Sequence, residues 1–169
     1  LNAILPPAIV IKNIIKVPAE AHCRYDAISR EYAYHIYNHK SPFLFNRAYY
    51  FPYTTDFDLL QQAAAVITDY TDFTSFSKRN TQVKNFICRI TESRWSQESE
   101  SVVYHVTANR FLRGMVRGLS GTMLQVGRGK ISLDDFRNIL ASKDCSQVNF
   151  AVPGHGLYLV NVNYPPRIF

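Results

Sequence analysis

The sequence predicts an α+β fold, an antiparallel sheet with helices on one face in the ferredoxin-like βαββαβ order. Three observations point there. Aromatic and β-branched residues cluster in strand-like segments at 30–38, 101–108 and 157–162. Apolar residues recur at helical spacing over 57–67 and 112–126. Capping and turn-forming residues separate the segments in the order strand, helix, strand, strand, helix, strand. The 169 residues fit a single domain, 1–169, with a lead-in at 1–22 and the sheet-and-helix core at 23–169.

Each element has its own signal. In the lead-in, Ile11 to Val17 interleaves polar and apolar residues and predicts a short strand. Over residues 30–38, Tyr32, Tyr34, Ile36 and Asn38 share one face and Glu31, Ala33, His35 and Tyr37 the other. A loop carrying Pro42 and Pro52 follows. Asp56 then caps a helix whose Phe57, Leu60, Ala64 and Ile67 form one stripe, ending near Thr68. Residues 85–95 read as a strand with Phe86, Cys88 and Ile90 on one side. Ser101 to Ala108 is its partner, and the polar run Ser96 to Glu100 is the hairpin connection. Leu112, Met115, Val116, Leu119, Met123 and Val126 define a second helix, stopped by Gly127 and Gly129. Ser132 caps a shorter one through Leu133, Phe136, Ile139 and Leu140. Leu157 to Val162 is the last strand, ended by Pro165 and Pro166.

Composition excludes several classes. Hydrophobic residues make up 47% and charged residues 19%, which is a globular rather than a disordered composition. The longest apolar runs are far short of the roughly 20 residues that cross a bilayer, so no membrane partner is expected. Leu1 stands where Met would open a gene, and no leader pattern follows, so the sequence is expected to be part of something longer. Cys23, Cys88 and Cys145 are widely spaced and odd in number, which suits a reducing, cytoplasmic setting rather than a disulfide framework or zinc site. Nineteen basic against 13 acidic residues give +6. From Ser101 to Leu133 there is no Asp or Glu, while Arg110, Arg113, Arg117, Arg128 and Lys130 all fall there. Such concentration suits a polyanionic partner.

Searches for familiar catalytic patterns fail. Gly118-Leu119-Ser120-Gly121 has its second Gly one place too early for a nucleophile elbow. His35 and His39 have no carboxylate at ligand spacing, so no metal is expected. Gly129-Lys130 lacks the remaining residues of a phosphate loop. Three features stand out instead. The tyrosine-rich strand follows Arg24-Tyr25-Asp26-Ala27, and tyrosine can stack on a base. Asp72-Phe73-Thr74-Ser75-Phe76 leads into Ser77-Lys78-Arg79-Asn80, which mixes aromatic anchors with phosphate-binding groups. Arg113 and Arg117 lie one turn apart on the second helix, with Arg117 at the edge of its buried face. An arginine there calls for a carboxylate or phosphate partner. The plainer readings of these features are core packing, a structured turn and a solvated basic face.

These segments together resemble the C-terminal part of TruA-type tRNA pseudouridine synthases. The similarity runs in order through Leu1-Asn2-Ala3-Ile4-Leu5-Pro6, Arg24-Tyr25-Asp26-Ala27, Ser29-Arg30-Glu31-Tyr32-Ala33-Tyr34 and Asp72-Phe73-Thr74-Ser75-Phe76. It continues through Ala108-Asn109-Arg110-Phe111-Leu112-Arg113-Gly114-Met115-Val116-Arg117, then Gly121 to Lys130, Gly156-Leu157-Tyr158-Leu159 and Val162-Asn163-Tyr164-Pro165. It implies one ferredoxin-like half of a pseudouridine synthase fold. The implied activity is isomerisation of uridine to pseudouridine at positions 38 to 40 of the tRNA anticodon stem-loop, by a cytoplasmic homodimer without metal or cofactor.

The resemblance also implies roles. Tyr32 matches the tyrosine that stacks on the target uracil and serves as a base in the elimination step. Arg117 matches the residue that pairs with the catalytic carboxylate. Leu157, with Leu159 as the competing choice, matches the apolar lining of the uracil pocket. Arg110, Arg113, Lys78, Arg79, Arg128 and Lys130 are candidate tRNA contacts. One departure is large: the family's nucleophilic Asp lies in a Gly-Arg-Thr-Asp-Ala motif that this sequence lacks. The expectation is therefore an N-terminally truncated enzyme, inactive alone. The competing expectation is a non-catalytic RNA-binding module that uses its sheet as a stacking surface.

Overall fold

A computed structural model describes residues 1–80, 82–98 and 100–168. Its elements are β1 (Ser29–Tyr37), β2 (Tyr49–Tyr50), α1 (Phe57–Ile67), β3 (Ile90–Glu98), β4 (Ser101–Ala108), α2 (Met115–Gly127), α3 (Leu133–Ser142) and β5 (Leu157–Asn163). The sheet runs β2-β1-β4-β3, with β5 also on β1. β4 pairs antiparallel along Arg30 to Ile36 of β1, and β5 antiparallel along Ser29 to Tyr34. β5 and β2 therefore share the other edge of β1, with β2 parallel at Ile36 and Tyr37. Leaving β2 aside, this is the split βαβ arrangement expected from the order of elements.

Alternation sorts the sheet's two faces. Tyr34 lies opposite Tyr104, and Tyr32 opposite Val106, on the face that meets the helices. Tyr34 and Tyr104 are wholly buried there. Ala33 and His35, opposite His105 and Val103, point the other way. The helices begin where capping chemistry allows. The Asp56 carboxylate accepts from Leu59 N at 3.0 Å, and Ser132 with Asp135 forms a reciprocal capping box. α2 is buried along most of its length and packs on α1, α3 and β1. Small residues permit this closeness: a Cβ at Gly127 would stand 2.8 Å from Leu60 Cδ2.

Five expectations need correction. Residues 11–17 form no strand, because Ile11 pairs its backbone N–H and C=O with the Asn2 side-chain amide, at 2.8 and 2.9 Å. The loop after β1 contains the two-residue strand β2. The strand expected from residue 85 starts only at Ile90. Residues 86–88 bond instead to 71–73, with Phe73 N donating to Phe86 O and Cys88 N to Thr71 O. Ser96, Gln97 and Glu98 continue β3 rather than forming a connection, and Ser99 lies outside the described residues. Finally, α2 begins at Met115, because Gly114 before it takes a left-handed φ of 79°. Leu112 and Arg113 thus precede the helix, although Leu112 is still buried.

Candidate active site

Tyr32 stands on the helix-facing side of β1, where β5 inserts an extra residue. Glu31 pairs with Asn161 and Tyr32 with Leu159, leaving Val160 as a bulge. Its ring meets Phe111 edge-on, with centroids 5.1 Å apart. The two rings line a cleft of about 540 Å³. Arg24, Tyr25, Ala27, Ile28 and Arg30 form one side, and Asn109, Arg110 and Phe111 the other. Arg30 ties these sides together. Its guanidinium donates to Ala27 O at 2.9 Å, to Asn109 O at 2.6 Å and to Arg24 O. Asn109 in turn accepts from Arg89 N at 2.8 Å through its side chain. The exposed Tyr25 ring has Arg24 over it at 5.9 Å and His22 at 4.3 Å.

Among the described residues no carboxylate lines this cleft. Four aspartates are engaged elsewhere. Asp26 accepts from His22 N at 2.7 Å within its own turn, and Asp56 and Asp135 cap helices. Asp72 bonds Thr74 Oγ1 at 2.6 Å and Lys143 at 2.9 Å, and these contacts hold its carboxyl below the usual range. Three arginines at the cleft with no neutralising acid give it a positive field, suited to an anionic or electron-rich ligand.

Arg117 comes from the first turn of α2 and is half-buried. Its expected carboxylate or phosphate partner is not what the fold supplies. Nε donates to Val152 O at 2.7 Å and Nη2 to Phe150 O at 3.3 Å. Among the described residues Nη1 has no hydrogen-bond partner. Tyr34, two residues from Tyr32, donates to the next carbonyl, Pro153 O, at 2.8 Å. Burial pushes the Tyr34 hydroxyl pKa well up, Tyr49 adds to this, and the Arg117 charge opposes it. The same stretch leads through Gly156 into Leu157, which lies opposite Tyr34 as Leu159 lies opposite Tyr32. Leu157 is half-buried and Leu159 exposed.

The basic candidates divide into groups. Lys78 N donates to Arg113 O at 3.1 Å, and its ammonium lies over the Phe150 ring at 5.7 Å. Lys78 and Arg113 thus meet at the positive end of α2, beside the carbonyl that Arg117 holds. Arg110 lines the Tyr32 cleft. Arg79 lies over Asp144 at 3.9 Å, beside a separate hollow with Lys143 and Cys145. Arg128 and Lys130 follow the other end of α2, about 20 Å away by helix rise. There Arg128 stacks on Tyr53 at 3.5 Å. Sequence reasoning gave no role to Arg30, Asn109 or Tyr34, although all three fell inside segments it singled out. Among the described residues no group of three His, Cys, Asp or Glu side chains gathers as a metal site. No helix is long and apolar enough to cross a membrane.

The split βαβ sheet, with helices on one face, makes this an α+β chain consistent with one ferredoxin-like half of the pseudouridine synthase fold. The tRNA pseudouridine synthase family model matches residues 70–165. The chain belongs to that family. It is 45% identical over 169 residues to tRNA pseudouridine synthase A of Parabacteroides distasonis, covering 100% of this chain and 67% of that protein. It is 46% identical over 171 residues to the protein of that name from Porphyromonas gingivalis, covering 100% of this chain and 68% of the relative. To the Bacillus subtilis protein of that name it is 37% identical over 166 residues, with 97% of this chain and 67% of the relative covered.

Proposed function

We propose that this chain is the C-terminal half of the catalytic region of a tRNA pseudouridine synthase acting at positions 38 to 40 of the anticodon stem-loop. It supplies the base-holding wall and much of the RNA surface. The reactive Asp comes from a region outside these 169 residues, so the chain alone is inactive. The observation that carries this reading is the 540 Å³ cleft, which has two tyrosines and three arginines but, among the described residues, no acid.

In the reaction the N1–C1′ bond breaks and a C5–C1′ bond forms, with the C5 proton lost and N1 protonated. The uracil must leave its stack, at a cost of a few kcal/mol. Stacking on Tyr32, at about 1–3 kcal/mol, offsets much of it. Tyr32 also serves as the base. Leu157, with Leu159 beside it, excludes water from the uracil edge. Arg117 turns its open Nη1 edge to the incoming carboxylate and keeps it ionised. Arg110, Arg113 and Lys78 hold phosphates, with Arg79, Arg128 and Lys130 as outlying contacts. Residues 1–169 act as one domain of a cytoplasmic homodimer that needs no metal or organic cofactor. The stacking-module alternative is weakened because Tyr34, Tyr104 and Trp95 are buried against the helices, not displayed on the open face.

Arg117→Ala in the full-length enzyme tests the assignment. Turnover should be abolished, while tRNA affinity stays within about threefold because many phosphate contacts remain. Turnover that survives would remove Arg117 from its role.

A further inference from the structure

Tyr34 poses a question that packing does not answer. Its ring is wholly buried between the sheet and the helices, where phenylalanine would fill the same space. Its hydroxyl nevertheless donates to Pro153 O at 2.8 Å. That carbonyl follows Val152 O, which Arg117 Nε holds at 2.7 Å, and Phe150 O lies two residues earlier under Arg117 Nη2. Two residues from different elements thus grip one short stretch of backbone. The stretch is also fixed at its far end. A Cβ at Gly156 would stand 2.8 Å from His35 O and 3.3 Å from Tyr34 Cζ, so only glycine lets the chain press this closely against β1.

We propose that Tyr34 is a positioning residue that sets the guanidinium of Arg117 through residues 150–156. The inference rests on the role given to Arg117 above. Arg117 has two of its donors on this stretch, so the plane of its guanidinium follows the carbonyls of Phe150 and Val152. The Tyr34 bond keeps Val152 from moving with the adjacent Pro153 peptide. Without it the half-buried Pro153 carbonyl loses its donor and the stretch relaxes. The open Nη1 edge then turns away from the line on which a carboxylate must approach. Small displacements of this kind weigh on the chemical step more than on binding, because tRNA is held by many other groups.

Tyr34→Phe in the full-length enzyme tests this, using single-turnover and steady-state pseudouridine formation on unmodified tRNA. The expected result is about a tenfold fall in the single-turnover rate and in kcat, with KM for tRNA within about twofold. Arg117→Lys keeps the charge but not the two-carbonyl grip, so adding Tyr34→Phe to it should slow the reaction no further. Unchanged kcat, losses that multiply in the double variant, or a rise in KM alone would overturn the inference. Should Tyr34→Phe fail to fold, Gly156→Ala must give the same kcat-only loss, or the inference falls. An inactive unsubstituted enzyme would instead strike at the function proposed above.

Discussion

Gly121→Ala asks whether residues 148–153 are seated on α2 as closely as the site requires. An added Cβ would stand 2.3 Å from the Asn149 backbone oxygen and 3.0 Å from Val152 Cγ1. Restoring ordinary contact moves the stretch outward by about 1 Å. That motion weakens Asn149 N to Thr122 Oγ1, at 3.2 Å, and Asn149 Nδ2 to Gly121 O, at 3.3 Å. Overpacking costs about 1–3 kcal/mol, and each weakened hydrogen bond about 1 kcal/mol. The helix propensity of alanine returns about 1 kcal/mol. The net expectation is a loss of about 2–4 kcal/mol. Urea unfolding of the chain, followed by fluorescence of Trp95, which is buried and the one tryptophan in the sequence, measures it. The midpoint should fall by about 1 M. Gly154→Ala is the control, because nothing lies within 4 Å of its added Cβ and its backbone is unstrained; it should stay within about 0.5 kcal/mol. If the two variants behave alike, the stretch is not packed on α2 and the positioning of Arg117 loses its basis.

Other expectations follow from particular groups. Burial lowers the His35 pKa below its ordinary 6.5, Glu98 opposes the change, the charge of His105 on β4 adds to it, and Tyr158 packs edge-on at 5.2 Å. The unfolded chain therefore binds the extra proton, so the His35 contribution is complete above about pH 6.5 and is lost as pH falls below it; His35→Gln should flatten that part of a urea midpoint-versus-pH curve. Cys88 is wholly buried and its thiol is pushed up to about 11, mainly by desolvation, so at pH 8 alkylation should label exposed Cys23 first and Cys88 only on unfolding. Arg110→Ala should weaken tRNA binding at every salt concentration and reduce the salt slope by about one phosphate, whereas Arg128→Ala, removing a group stacked on Tyr53, should change the slope less. Filter binding between 50 and 200 mM salt separates these outcomes.

The parts of the fold that local chemistry controls were legible in advance. Asp56 and Ser132 cap their helices because a short acceptor side chain precedes an apolar stripe, and both signals are local. The alternation in β1 placed Tyr32 and Tyr34 on one face, as the structure does. What failed depended on distant partners. A two-residue parallel strand such as β2 exists only because β1 offers an edge beside it. Phe86 to Cys88 has strand-like composition, yet its partners are residues 71–73 rather than the sheet. Arg117 was visible as an arginine at the margin of an apolar helix face. Its carbonyl partners, 33 and 35 residues away, carry no signal that sequence spacing could reveal. Arg128 shares the acid-free window with Arg117, but helix length separates them. Arg30, read only as part of a motif, proves to join both sides of the cleft.

The central claim is that these residues hold the base while the reacting carboxylate lies elsewhere. Mass spectrometry of unmodified tRNA, after incubation with this chain or with a full-length enzyme carrying the Gly-Arg-Thr-Asp-Ala region, tests it most directly once uridines 38 to 40 are tagged by a pseudouridine-selective reagent. Pseudouridine should form with the full-length enzyme and not with the chain alone. Pseudouridine formed by the 169 residues alone would contradict that claim and place the nucleophile among the aspartates of this chain.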